Sequence, residues 1–219
     1  MPIIQVHKLK YCCIYIWHIK ESLGELIEIA NRYNLDNFDN ITHKGRLKQF
    51  IAARVTLAKG LNLDHIPKLT KTLSGKPIFK ELSMFFSISH CGDLVAVAIS
   101  QYEIGIDIQT ISKKIHIIHD RFLSLKEKNI LLRNSVNFNY LLYLRKLCLY
   151  WTAKEALFKL IDKQNISFKK NIQILRVNSK RKNIQINFIA KGSSKSFNLN
   201  YLFINNYYIS YVLCKCKNS

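Results

Sequence analysis

The chain has 219 residues, 48% of them hydrophobic, with only 7 Gly and 3 Pro. A core of useful size can be buried, and long disordered linkers are excluded. The formal net charge of +20 implies a polyanionic partner or ligand without saying which, and the spread of Lys, Asn and Ile along the whole chain reads as a compositional bias rather than a local basic patch.

In chain order, residues 11–17 read as a strand, 21–33 as a helix and 44–60 as a longer amphipathic helix with Gly60 near its end. Tyr11–Trp17 follows Lys8 and Lys10 as a signal peptide would, but it is short, lacks a small-residue cleavage pattern and continues into an amphipathic segment. No other run approaches the roughly 20 apolar residues of a membrane helix, so a cytoplasmic protein without membrane contact is expected. Lys71–Pro77 reads as a basic, turn-rich loop. A meander of three strands follows, Met84–Ser89, Leu94–Ser100 and Ile104–Ile108, joined by His90-Cys91-Gly92-Asp93 and Gln101-Tyr102-Glu103. Helical patterns resume at 116–122, 126–133 and 138–160, and alternating stretches at 172–177, 184–189 and 197–213 close the chain as strands. Each half offers helices plus about three strands, with the change near Gln101. That predicts an α+β protein of two similar lobes, 1–100 and 101–219.

The six cysteines, at 12, 13, 91, 148, 214 and 216, form no Cys-x-x-Cys pair, and only Cys91 has a histidine beside it. Zinc-site spacing is absent, and reduced, mostly core thiols are expected.

Two segments carry chemistry. In Ile104-Gly105-Ile106-Asp107-Ile108-Gln109 the alternation puts three isoleucines on one strand face and Gly105, Asp107 and Gln109 on the other. In Trp151-Thr152-Ala153-Lys154-Glu155-Ala156-Leu157-Phe158-Lys159, Ala153, Ala156, Leu157 and Leu160 make an apolar helix face, with Trp151, Lys154, Glu155, Phe158 and Lys159 opposite. Taken singly, Asp107 reads as a solvent-facing residue near a strand end, and Glu155–Lys159 as a surface pair at i, i+4. Two large aromatics on the charged face shift the balance, because such a face usually meets a ligand or another lobe. Hard carboxylate oxygens beside lysines are equipment for phosphoryl-type transfer with a divalent cation.

At these residues the chain resembles the 4′-phosphopantetheinyl transferase superfamily, in its larger two-lobed branch. The family pairs a Gly-hydrophobic-Asp segment with a later Trp-Ser/Thr-x-Lys-Glu-x-x-x-Lys segment. The likeness extends to Gly75-Lys76-Pro77, Phe86-Ser87-Ile88-Ser89-His90 and the basic helix around Arg46 and Arg54, so it covers roughly residues 40–175. The resemblance implies a pseudo-dimer of two lobes, each a small antiparallel sheet with packed helices. It also implies a holo-[acyl-carrier-protein] synthase type reaction that moves 4′-phosphopantetheine from coenzyme A to a serine of an acidic apo acyl or peptidyl carrier protein. Asp107 and Glu155 match its Mg²⁺ ligands, and Gln109 stands at the place of a third. Glu155 or a water on the metal is its general base. Asp107, Glu155 and Lys159 form its catalytic group, and Arg46, Lys76, Pro77, Ser89, His90, Lys154 and Lys159 match its coenzyme A contacts. A monomer with no nucleic-acid partner is expected. Gln109 departs from the pattern, since many members of this branch have a second acid there; an amide oxygen can still serve Mg²⁺, with waters completing the shell.

Arg54 falls in the middle of the apolar stripe Leu47, Phe50, Ile51, Leu57 and Ala58, so it must pair with a carboxylate or phosphate or snorkel out. Two other readings stand beside the transferase. The pI and the aromatic-rich stretch Phe197–Tyr211, just after Lys191 and Lys195, suggest a nucleic-acid-binding protein. Gln109 is the support for a non-catalytic, carrier-binding relative.

Overall fold

The computed structural model describes residues 4–36, 38, 40–133, 139–190 and 192–215. The protein is α+β, and its chain divides into two compact units, Met1–Ile108 with Cys214–Ser219, and Gln109–Leu213.

The first unit is built on an antiparallel four-stranded sheet in the order β1-β2-β6-β5, made by β1 (Ile4–Lys8), β2 (Cys12–His18), β5 (Phe85–Cys91) and β6 (Leu94–Ser100). β6 is central, which explains its unbroken apolar run: Val95, Val97 and Ile99 point to one face, Ala96 and Ala98 to the other, and all are buried. The larger residues join Trp17 and Phe86 in a core closed by α1 (Leu23–Arg32) and α2 (Lys44–Gly60). Ser22 and Glu25 form a reciprocal capping box at the start of α1. The end of α2 lies so close to the sheet that a Cβ on Gly60 would stand 2.6 Å from Ile99 Cδ1 and 2.9 Å from the Tyr15 ring, and Tyr15 donates to the Gly60 carbonyl at 3.1 Å. Gly60 is thus needed for close approach.

The expected meander is corrected. β5 and β6 pair across the two-residue turn Gly92-Asp93, with Gly92 at φ 57°. The strand that follows, β7 (Glu103–Thr110), is outside that sheet. Two serines explain the difference. Ser87 and Ser89 Oγ accept from the N–H groups of Ile106 and Ile108 at 3.1 and 3.2 Å, so side chains take bonds that a backbone ladder would have made. The predicted loop at 71–77 is the turn of a small hairpin, β3 (Leu69–Lys71) with β4 (Pro77–Phe79).

The second unit contains α3 (Lys114–Phe122), α4 (Leu125–Arg133), α5 (Tyr140–Ile161), the short α6 (Phe168–Asn171), and β8 (Ile172–Asn178), β9 (Asn183–Ala190), β10 (Ser193–Ile204) and β11 (Tyr207–Cys214), sheet neighbours in the order β11-β10-β9-β8. The single strand expected over 197–213 is two, β10 and β11, reversed at Asn205-Asn206, both with positive φ. The expected start of α5 at Phe138 lies outside the described residues, as do Lys191 and Cys216. The five described cysteines are free thiols. Among the described residues no helix is long and apolar enough to cross a membrane.

Candidate functional site

The first unit holds a cavity of about 720 Å³ lined by one stripe of α2, Arg46, Gln49, Phe50, Ala53 and Arg54, which is the i, i+3, i+4, i+7, i+8 pattern of a single helix face. Thr42, His43 and His90 add polar groups to its wall, and Pro77 and Ile88 apolar ones. No carboxylate lines it among the described residues. The guanidinium of Arg54 lies over the Phe50 ring, 5.0 Å from its centroid, and burial pulls its pKa down. Among the described residues neither Arg46 nor Arg54 has a carboxylate within ion-pair distance, so of the partners open to Arg54 a protein carboxylate is absent.

The helix end facing this cavity is electropositive as well. The first turn of α2 carries no acid, while Lys44 and Arg46 stand where the helix dipole disfavours cations. Its N-cap is His43, whose Nδ1 accepts from the Arg46 N–H at 3.2 Å with the ring folded over Gly45. Such an arrangement is suited to a phosphate.

The structure brings Arg46, Pro77 and His90 together and separates Ser89 from them. Along β5, Ile88 and His90 face the cavity, while Ser87 and Ser89 face β7. The expectation that Ser89 contacts coenzyme A is corrected. Ser89 is 4% exposed; its Oγ spends its one proton on Asp107 Oδ1 at 2.6 Å and accepts from Ile108 N–H. Asp107 itself is 2% exposed, not a solvent-facing residue, because β7 is covered on both faces. Lys76 sits in the β3–β4 turn, where its N–H donates to Thr72 Oγ1 at 3.2 Å.

In the second unit Gln109 is half-buried, and its carbonyl accepts a long contact from Cys148 Sγ at 3.7 Å. Glu155 and Lys159 are half-exposed on α5. The apolar face of α5 is the expected one, Ala153, Ala156, Leu157 and Leu160, all buried. Lys154 is not on the opposite face. It is fully buried, about 60° around the helix from Leu157, and its ammonium is held by Glu127 at 2.8 Å and by backbone carbonyls. The phosphate contact expected of Lys154 is therefore corrected to an internal ion pair. Burial lowers its pKa, and the Glu127 charge and hydrogen bond oppose that shift.

The aromatics on the charged face are corrected too: within the second unit Trp151 packs on Phe122 and Phe168, and Phe158 on Phe168, with ring centroids 5.1–5.5 Å apart. In the aromatic-rich stretch, Tyr201 is buried and Tyr208 stacks against both Tyr201 and Phe203, so these rings serve the sheet. Sequence reasoning missed Glu127. Its signal was Ser124-x-x-Glu127, a capping box at the start of α4 in which Ser124 N–H donates to Glu127 at 2.8 Å.

Among the described residues no three His, Cys, Asp or Glu side chains form a metal-holding cluster. A donor set of two carboxylates and an amide nevertheless has the hard oxygens that suit Mg²⁺, and the Asp107 carboxylate is already fixed by Ser89.

Among curated proteins, the 4′-phosphopantetheinyl transferase psf-1 of Bacillus pumilus is 34% identical over 93 residues, a stretch equal to 41% of this chain and 37% of that protein. The match spans little more than a third of the relative's length. The sequence profile of the 4′-phosphopantetheinyl transferase superfamily matches residues 103–212, which include Asp107, Gln109 and the Trp151–Lys159 segment. With half of its length inside that profile, the chain belongs to the 4′-phosphopantetheinyl transferase superfamily.

Proposed function

We propose that the protein is a holo-[acyl-carrier-protein] synthase type transferase that moves 4′-phosphopantetheine from coenzyme A to a serine hydroxyl of an acidic apo carrier protein. The observation that carries the reading, beyond family membership, is the cavity that offers Arg46, Arg54 and His90 and, among the described residues, no acid. A cavity of this size suits a nucleotide-sized ligand, for which pockets run to about 300–1,000 Å³. Adenosine 3′,5′-bisphosphate supplies anionic groups for two arginines that have no carboxylate partner among the described residues.

In the reaction the serine oxygen forms a bond to the β-phosphorus, and the bond from that phosphorus to the bridging oxygen breaks. Adenosine 3′,5′-bisphosphate leaves with the electron pair. Asp107, Gln109 and Glu155 would hold Mg²⁺, which when bound supplies charge neutralisation at the pyrophosphate. Glu155 is the proposed acceptor of the serine proton, and Lys159 the phosphate contact from the same helix. The net charge of +20 favours approach of an acidic carrier.

The test is incubation of the full chain with coenzyme A, Mg²⁺ and a panel of apo carrier proteins from fatty-acid, polyketide and peptide synthesis. The expected result is one phosphopantetheine of added mass on at least one carrier. Coenzyme A binding with no carrier modified would favour the non-catalytic relative and overturn the transferase.

A further inference from the structure

Lys154 precedes Glu155 by one position and is sealed inside the second unit. Its ammonium meets four oxygens: the carbonyls of Phe122 and Ile172 at 2.7 Å, that of Phe168 at 3.1 Å and Glu127 Oε2 at 2.8 Å. Three N–H donors are thereby used in full. Glu127 is equally engaged. Its Oε2 also accepts from Ser124 N–H and Oγ at 2.8 and 3.0 Å, and its Oε1 from Ile174 N–H at 2.8 Å. One ion pair therefore ties together the end of α3, the start of α4, the middle of α5, α6 and the start of β8.

The pair reaches the surface of α5 through Phe168. The Phe168 carbonyl is bound by Lys154, while its ring packs on Trp151 at 5.5 Å and on Phe158 at 5.3 Å. Trp151, Glu155 and Phe158 stand at i, i+4 and i+7, so a ring that touches the first and last crosses the helix at the level of Glu155. We propose that Lys154 and Glu127 are a positioning pair for Glu155: they fix the rotation of α5 and seat Phe168 beside the carboxylate, confining it to one orientation. The proposal rests on the reading of Glu155 as metal ligand and base. It also accounts for charge in a place where stability alone does not require it. Apolar groups of like volume stabilise such positions as well as a buried pair does, but they have no directional bonds with which to hold five elements in register.

The experiment uses the full chain, with Mn²⁺ as the divalent probe in the presence of coenzyme A. Wild type is compared with Lys154→Met/Glu127→Gln, with Glu155→Gln, and with the combination of all three. The neutral pair is expected to lower Mn²⁺ affinity and kcat about 10- to 100-fold, the range for residues that orient a ligand. KM for coenzyme A should stay within about twofold, since the nucleotide cavity is untouched. The triple variant should bind Mn²⁺ no more weakly than Glu155→Gln alone, because both changes act through one carboxylate. Wild-type Mn²⁺ affinity and kcat in a folded Lys154→Met/Glu127→Gln protein, even one that melts lower, would overturn the proposal. If that protein does not fold, Phe168→Ala decides: it leaves the buried pair intact, and the same loss of Mn²⁺ affinity supports the seat while unchanged affinity overturns it. Wild-type protein that neither bound Mn²⁺ nor transferred pantetheine would overturn the reading of Glu155 itself, and the positioning role with it.

Discussion

Replacing Ser89 with alanine removes one oxygen that has two buried partners, Asp107 Oδ1 at 2.6 Å and Ile108 N–H at 3.2 Å. Ser87 provides the internal control. It is as buried as Ser89 and accepts from Ile106 N–H at 3.1 Å on the same strand face, but among the described residues it bonds to no carboxylate. Each alanine leaves one backbone N–H without its acceptor, at about 1–3 kcal/mol. Only Ser89→Ala also removes a bond to a charged acceptor, which is worth about 1.5–3 kcal/mol. Urea unfolding should therefore place Ser89→Ala about 1.5–3 kcal/mol below Ser87→Ala at an unchanged denaturant slope. Pantetheine transfer should fall in the Ser89 variant alone, and Ser89→Thr, which keeps the hydroxyl, should recover most of it. Equal stabilities and equal rates for the two alanine variants would refute the idea that Ser89 holds Asp107 in place.

Three further outcomes are expected. Arg46→Ala and Arg54→Ala should each weaken coenzyme A about 10- to 100-fold, and dephospho-coenzyme A less, in calorimetric titration; equal losses for both ligands would move the 3′-phosphate elsewhere. Gly60→Ala should cost about 1–3 kcal/mol through overpacking against Ile99 and Tyr15, read from the urea midpoint, and a neutral result would show that the end of α2 can shift freely. Hydrogen bonds from Ser22 backbone and side chain hold the Glu25 carboxyl below its ordinary 4.5. An acid depressed on folding contributes its stability above the unfolded value, and that contribution is lost as pH falls through the lowered folded value. Protection of the α1 amides, relative to their intrinsic exchange rates, should thus fall below about pH 4.5, the unfolded value of the group, and Glu25→Gln should remove that acid dependence.

Legibility varied with how local the cause was. The limits of α2, Lys44–Gly60, could be read because a helical stripe and a terminal glycine coincide there. β6 was equally plain, being apolar from end to end. The turn at Asn205-Asn206 was hidden because alternation continues through both strands it joins, and two asparagines are a weaker sign than Asn-Gly. Placement of β7 away from β6 depends on serine hydroxyls meeting backbone N–H groups, which no strand pattern encodes. Lys154 looked like a surface base because its partner, Glu127, lies 27 residues away in sequence. Arg54 was legible as a cation needing an anion; only the cavity around it showed that, among the described residues, no carboxylate meets the need.

β5 works as a two-sided gauge only seven residues long. One edge of its pleat, Ile88 and His90, sets the wall of the proposed nucleotide cavity, and the other, Ser87 and Ser89, aligns β7 and its aspartate. The Gly92-Asp93 turn pins that alternation by fixing Cys91 opposite Leu94. Deleting a single residue between Phe86 and Cys91 would exchange the two sets, placing hydroxyls in the cavity and an imidazole against β7. Descendants of this chain can retune either edge by substitution, but a change of length in this strand disables both at once.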